Sequence, residues 1–123
     1  MGWRSAFRGV LTSDDDYEAL RERVVAGRSA GCVPVASLPL RRRAKVAGIL
    51  RSVVLRPREG VPTVEAELFD GSGVLDLVWL GRRSIKGIEP GRRLGVEGMI
   101  CEAHGRRTIY NPRYELRPRA GDL

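Results

Sequence analysis

The chain has 123 residues, which is enough for one small domain, and 30% of them are charged. Its formal net charge of +7 belongs entirely to residues 41–123, which carry 17 basic and 10 acidic residues, whereas residues 1–40 carry five of each. A basic domain favours polyanionic partners, although an arginine-rich composition gives the same charge without any ligand.

The cysteines and the apolar stretches bear on location. Cys32 and Cys101 lack the spacing of metal ligands, and two cysteines do not make a disulfide framework, so we expect both to be reduced. No apolar run is long enough to span a membrane, and the first residues lack the pattern of a signal peptide. We therefore expect a cytoplasmic protein that binds no metal and does not associate with membranes.

Residues 1–40 are expected to form a helical extension and a connector. Ser13 followed by three aspartates favours a helix start, and apolar side chains then recur at three- and four-residue spacing from Tyr17 to Val25. Pro34 and Pro39 exclude a regular helix in the connector. The amphipathic α-helix could dock a protein partner.

From residue 41 the apolar pattern changes to that of strands, with glycine-containing turns between them. The expected strands cover 44–56, which Gly48 breaks, then Val61–Phe69, Val74–Leu80, 94–103, and a fifth that opens at 107–110. A loop at 57–60, a tight turn at 70–73, a short helix at 82–86 and a hairpin turn at 104–105 connect them. The sequence therefore predicts a mainly β fold: a five-stranded barrel at 41–118, with a short helix between strands three and four and a tail at 119–123.

Five landmarks occur in order along this region: Val46-x-Gly48-x-Leu50, the run from Glu67 to Gly73, Gly91, Val96-x-Gly98, and Asn111-Pro112-x-Tyr114. In this pattern the chain resembles the OB-fold family of nucleic-acid-binding domains. It is similar to the wedge domain of the RecG helicase and to small stand-alone actinobacterial OB-fold proteins.

The resemblance covers about residues 40–118 and implies a non-enzymatic protein that binds single-stranded or branched DNA, or RNA. OB barrels also serve as protein-interaction or assembly modules, and the fold alone does not choose between the two functions.

The resemblance also implies binding across strands two and three, between the loop that joins strands one and two and the loop that joins strands four and five. Both loops carry arginines, whose guanidinium groups suit phosphates and stack on bases. The last strand adds the aromatic ring of Tyr110 and the charge of Arg113, and strand two adds the ring of Phe69. The predicted nucleic-acid-binding residues are Arg56, Arg58, Arg106, Arg107, Tyr110, Arg113 and Phe69.

Strand alternation decides which side chains face this surface. Trp79 falls on one face with Leu75 and Leu77, so we expect it in the core, although a one-residue bulge would turn it towards the ligand. The opposite face carries carboxylates at 65, 67 and 76, which repel phosphates and argue against a generic single-strand binder. Arginines at 41–43 and around 82–93 are either a second phosphate-tracking surface or solvated charges.

Catalysis has no support in the sequence. His104, the only histidine, stands beside a turn glycine without a recognisable nucleophile motif, and the chain has no phosphate-binding loop or dinucleotide fingerprint. We therefore expect no catalytic residues, no enzyme activity and no cofactor.

Overall fold

The computed structural model describes residues 31–118, which are mainly β. Seven strands follow a short 3₁₀ helix at Val35–Ser37. They are β1 (Arg43–Arg58), β2 (Val61–Phe69), β3 (Val74–Leu80), β4 (Arg93–Met99), β5 (Cys101–Ala103), β6 (Arg106–Tyr110) and β7 (Arg113–Leu116). The predicted N-terminal amphipathic helix and the tail at 119–123 lie outside the described residues.

All seven strands belong to one curled sheet, in the order β5-β6-β3-β2-β1-β4-β7. Every pairing is antiparallel except that of β3 with β6, which is parallel. Ile100 alone separates β4, which pairs with β1, from β5, which pairs with β6 at the far end of the sheet. The chain at Ile100 therefore joins β5, at one end of the strand order, to β4, which is next to β7 at the other end, and the sheet curves back on itself.

The core lies on the concave side of the curl, and strand alternation selects its members. Leu75, Leu77 and Trp79 of β3 are all buried, and Trp79 is only 5% exposed. The prediction that Trp79 belongs to the core is confirmed. Its Nε1 donates a hydrogen bond of 3.2 Å to the carbonyl of Pro112, and its ring meets Tyr114 edge to face at 5.9 Å between centroids.

The connector is fixed to the sheet by the turn at 70–73, which forms as predicted. Asp70 is 1% exposed, and its carboxylate accepts hydrogen bonds from the backbone N–H groups of Ser72, Gly73 and Val35. The Ser72 hydroxyl accepts one from the N–H of Ala36. These bonds hold the 3₁₀ helix against the sheet, so that Val35 and Leu38 join the core.

The described strands differ in number from the predicted five for two reasons. The predicted fourth strand is divided at Ile100 into β4 and β5, and β7 pairs with β4 as an additional strand. The predicted break at Gly48 was wrong, because β1 runs through it without interruption. A Cβ at Gly48 would lie 2.5 Å from the carbonyl oxygen of Phe69, so glycine is required there by close approach of β2 rather than by a break.

The predicted short helix at 82–86 does not form. The segment between β3 and β4 is an irregular loop that buries Ile85 and Ile88 in the core. Five residues provide too few hydrogen bonds to offset helix nucleation. Burial of these two side chains and a 3.1 Å hydrogen bond from the Tyr114 hydroxyl to the carbonyl of Lys86 fix the loop instead.

Candidate nucleic-acid interface

The two loops predicted to flank the ligand are tight hairpin turns. Glu59 and Gly60 connect β1 to β2 with φ of 50° and 82°, and His104 and Gly105 connect β5 to β6 with φ of 53° and 75°. Two successive positive φ angles are the geometry that two-residue hairpins prefer. The prediction of a hairpin at 104–105 is confirmed.

The predicted location of the arginines within loops was wrong. Because two-residue hairpins keep the strands paired up to the turn, β1 extends to Arg58 and β6 begins at Arg106. Arg56, Arg58, Arg106 and Arg107 therefore lie on strands. Their side chains alternate between the two faces of the sheet, so adjacent arginines do not share a surface.

A β-bulge in β1 determines which face Arg56 and Arg58 occupy. Leu50 pairs with Leu68 and Ser52 pairs with Glu67, so that Arg51 is passed over in the register. The extra residue moves Ser52 and the alternate residues that follow it to the outer face of the sheet, opposite the carboxylates of β2.

Outer-face residues of β1, β2, β3 and β6 line a shallow cleft of about 180 Å³ between the two hairpin turns. Its charged and aromatic lining consists of Arg56, Arg58, Glu65, Glu67, Asp76, His104, Arg106 and Tyr110. Four of the seven predicted site residues therefore meet in this cleft, namely the three arginines and Tyr110.

The other three predicted residues lie elsewhere. Arg107 faces away from the cleft, forms an ion pair of 3.4 Å with Glu102 and donates a hydrogen bond to the carbonyl of Leu38. Phe69 is the last residue of β2, where it pairs with Ile49 and Val74, and it does not line the cleft. Arg113 is exposed on β7, which pairs with β4 and takes no part in the cleft.

Glu67 is the centre of an ion-pair network on the cleft floor. Its carboxylate accepts hydrogen bonds from Arg51 at 3.2 Å, from the Ser52 hydroxyl at 2.7 Å and from Arg106 at 2.9 Å. Arg106 also lies 2.8 Å from Asp76. Sequence reasoning did not find Arg51 and Ser52, because a bulge leaves no mark on the apolar pattern.

The negative charge of Glu65 is compensated by a different arginine, Arg58. Its Oε2 lies 3.0 Å from Nε of Arg58, with the two side chains 20% and 39% exposed. All three carboxylates of the cleft are thus paired with guanidinium groups. The acidic face that the sequence predicted exists, but arginines of the same cleft neutralise it.

The network shifts the pKa values of its members in opposite directions. Burial acts to raise the pKa of Glu67, but hydrogen bonds from Ser52, Arg51 and Arg106 together with the Arg51 charge outweigh it, and the pKa is lowered. Burial raises the pKa of Asp76, and the Arg106 charge only partly offsets this. The hydrogen bond to Glu65 raises the pKa of Arg58, against the effect of burial and with a further contribution from Tyr110.

Three of the charged and aromatic side chains of the cleft are exposed, namely Arg56, His104 and Tyr110. The Arg56 side chain takes part in no ion pair or hydrogen bond within residues 31–118. Tyr110 is 40% exposed and projects from β6 into the cleft. The unpaired guanidinium group of Arg56 suits a phosphate, and the exposed ring of Tyr110 suits a base.

No group of three or more histidine, cysteine or acidic side chains that could hold a metal ion occurs in the described part of the chain. Among residues 31–118, no helix has the length and hydropathy needed to cross a membrane.

Comparison with known proteins gives a fold relationship. No family model matches the chain, and no curated protein matches it. Among solved structures, the chain is similar to RecG bound to a three-way DNA junction, with a TM-score of 0.60 and 21% sequence identity. The match covers 74% of this chain but 13% of the RecG chain, so the similarity is to a small part of RecG and concerns the fold.

Proposed function

We propose that this chain is a non-enzymatic, cytoplasmic OB-fold protein that binds single-stranded or branched DNA, or RNA, in the cleft between its two hairpin turns. The strand pairing supports the OB assignment. If β4 and β5 are counted as one bent strand, β1, β2, β3, β6 and the bent strand form a five-stranded barrel, to which β7 is an addition.

The observation that carries the proposal is the convergence of Arg56, Arg58, Arg106 and Tyr110 on one outer-face cleft. This is the face, between equivalent loops, with which OB folds bind oligonucleotides. The fold similarity to RecG in a DNA-junction complex agrees with this proposal. The excess of basic residues in 41–123 adds long-range attraction for a polyanion.

The cleft cations differ in what they offer to phosphates. The Arg56 side chain can bind a phosphate directly. The guanidinium groups of Arg58 and Arg106 are already ion-paired, with Glu65 and with Glu67 and Asp76 respectively, so a phosphate must compete with these carboxylates. We therefore expect modest affinity with limited sequence preference and few phosphate contacts.

A protein-interaction or assembly module is the second candidate. It is favoured by the internal pairing of the cleft charges and by the exposed apolar side chains Leu55, Val61 and Leu80 near the β1–β2 hairpin. Pull-down from a bacterial lysate treated with nuclease separates the two functions. Partners that survive nuclease support this candidate, and partners lost on treatment support nucleic-acid binding.

The test of the main proposal is fluorescence anisotropy with labelled single-stranded, duplex and forked DNA and with single-stranded RNA, titrated at increasing salt. Binding should weaken as salt increases, with a slope of about −0.7 for each phosphate contacted on a single strand. With two or three phosphates engaged, the slope should lie between about −1.4 and about −2.1. Absence of binding to all four ligands at low salt would contradict the proposal.

A further inference from the structure

Three consecutive arginines at the entry to β1 carry no compensating charge. The side chains of Arg41, Arg42 and Arg43, which we call the arginine segment, are exposed and take part in no ion pair or hydrogen bond within residues 31–118. The cleft differs from this segment, because three arginines and three carboxylates are among its lining residues. The formal charges of the cleft therefore cancel, and the arginine segment attracts a polyanion more strongly than the cleft does.

The backbone of the arginine segment is held in place by the bend between β4 and β5. The N–H of Arg41 donates a hydrogen bond of 2.8 Å to the carbonyl of Ile100, and the N–H of Ile100 donates one of 2.9 Å to the carbonyl of Arg42. Arg43 is the first residue of β1 and pairs with Met99 of β4. Because this backbone is fixed before a ligand binds, only side-chain freedom is lost when the three guanidinium groups contact phosphates.

The outer face of the sheet connects the arginine segment to the cleft. Ile100 is fully buried, so Met99 and Cys101 on either side of it lie on the outer face. Ala103, two residues beyond Cys101, pairs with Arg106 and lines the cleft. From Met99 to Ala103 the chain spans at most about 13 Å. The outer-face residues along this path, Cys101 and Ala103, have small side chains, so a nucleic-acid strand can pass over them.

Resting on the proposed function, we infer that a nucleic-acid strand leaves the cleft beside the β5–β6 hairpin, continues over Cys101, and binds through its phosphates to the arginine segment. OB folds bind about 4–16 nucleotides, whereas the cleft has a volume of about 180 Å³, so a bound strand extends beyond the cleft. Guanidinium groups match the geometry of phosphate oxygens and remain charged at all physiological pH values. The cleft then contacts one part of the strand, and the arginine segment supplies most of the electrostatic attraction.

The test measures binding of oligo-dT, about 12 nucleotides long, by fluorescence anisotropy at several salt concentrations. A triple variant, with Arg41→Gln, Arg42→Gln and Arg43→Gln, removes the charges of the arginine segment. Its salt slope should be flatter than that of the wild type by about 1.4 to 2.1, which corresponds to two or three lost phosphate contacts. Its affinity at low salt should be about tenfold lower. A slope and an affinity equal to those of the wild type would overturn the inference.

The matched control replaces three exposed cations of the loop between β3 and β4, as Arg82→Gln, Arg83→Gln and Lys86→Gln. It changes the net charge by the same amount, so it should lower the affinity by less than about threefold and leave the slope within about 0.7 of the wild-type value. Equal losses in the two triple variants, or a larger loss in the control, would overturn the inference while leaving nucleic-acid binding intact. Failure of the wild type to bind would instead contradict the proposed function.

The stoichiometry tests whether one strand occupies both surfaces. A titration at protein concentrations well above the dissociation constant should saturate at one oligonucleotide per chain. Saturation at two would overturn the inference, because the arginine segment would then be a separate site. Circular dichroism melting verifies that each variant is folded. If the triple variant of the arginine segment fails to fold, Arg43→Gln alone should flatten the slope by about 0.7 relative to Arg83→Gln, and equal slopes would overturn the inference.

Discussion

Nη2 of Arg106 lies 2.8 Å from Oδ1 of Asp76, and the same nitrogen lies 2.9 Å from Oε2 of Glu67. β6 supplies the arginine, and β3 and β2 supply the two carboxylates, so this one side chain ties together three strands at the floor of the cleft. Its charge is already compensated before any ligand arrives. A phosphate that enters the cleft must therefore compete with two carboxylates for Arg106.

Asp76→Asn should strengthen nucleic-acid binding. The substitution removes one of the two carboxylates that hold Arg106, and it removes a negative charge that faces the phosphates. We expect about fivefold tighter binding of a mixed-sequence single strand, equivalent to about 1 kcal/mol for a partly exposed ion pair. Anisotropy at low salt measures this, with Glu102→Gln as the control for net charge. Weaker binding by Asp76→Asn would show that Asp76 supports the site rather than restrains it.

The stability of the protein should depend on pH through Glu67. The pKa of Glu67 is lowered in the folded protein from its ordinary value of 4.5. The contribution of Glu67 to the free energy of unfolding is therefore complete above pH 4.5 and is lost as the pH falls through the pKa of the folded state. Wild-type protein should therefore lose its advantage in melting temperature over Glu67→Gln as the pH falls below about 4.5. The advantage near neutral pH should be about 1 kcal/mol.

Thermal melts of both proteins across this range check the expectation. The control is Glu115→Gln, at an exposed position on β7 that is remote from the cleft. Its melting temperature should change with pH in the same way as that of the wild type. If the melting temperatures of wild type and Glu67→Gln differ by the same amount at all pH values, the role given to this ion-pair network is contradicted.

Trp79→Ala should destabilise the fold by about 3–5 kcal/mol, because it empties the space of a buried ring and removes the hydrogen bond to Pro112. Trp79→Phe should cost less, since it retains most of the apolar volume. Leu80→Ala, at the next residue and 44% exposed, is the control and should cost under about 1 kcal/mol. Urea unfolding gives these values. A Trp79→Ala variant as stable as the wild type would be incompatible with a core position.

Gly48→Ala should destabilise the protein by about 1–3 kcal/mol, because the added methyl group meets the backbone carbonyl of Phe69, which cannot move without disturbing β2. Gly95→Ala on β4 is the matched control. Its nearest neighbour would be the guanidinium end of Arg117 at 3.1 Å, which can shift. Similar losses for both substitutions would indicate a general cost of alanine in these strands rather than the close contact at Gly48.

Much of the fold follows from local pattern. Alternation along β3 is regular, so the burial of Leu75, Leu77 and Trp79 could be predicted from the sequence. The turns at 70–73 and 104–105 could also be predicted, because glycine is common in tight turns. Gly71 and Gly105 adopt positive φ angles there, which glycine accommodates without strain.

The site was only partly predictable because it depends on register. The bulge at Arg51 sets the face on which Arg56 and Arg58 lie, and no residue pattern announces it. The pairing of Arg106 with Asp76 depends on the parallel alignment of β3 and β6, two strands separated by the bent β4–β5 segment. The sequence predicted a short helix at 82–86 in the loop between β3 and β4, but burial of Ile85 and Ile88 decides the conformation of this loop.

The most direct test of the central claim compares Arg56→Glu with Arg83→Glu in binding to single-stranded DNA at several salt concentrations. Both arginines are exposed and unpaired within residues 31–118, and both substitutions change the net charge equally. Arg56 lies in the cleft, whereas Arg83 lies in the loop between β3 and β4. If the cleft binds the ligand, Arg56→Glu should weaken binding about tenfold and flatten the salt slope by about 0.7, with Arg83→Glu within about twofold of the wild type. The opposite ranking, with Arg83→Glu the more damaging, would contradict binding through the cleft.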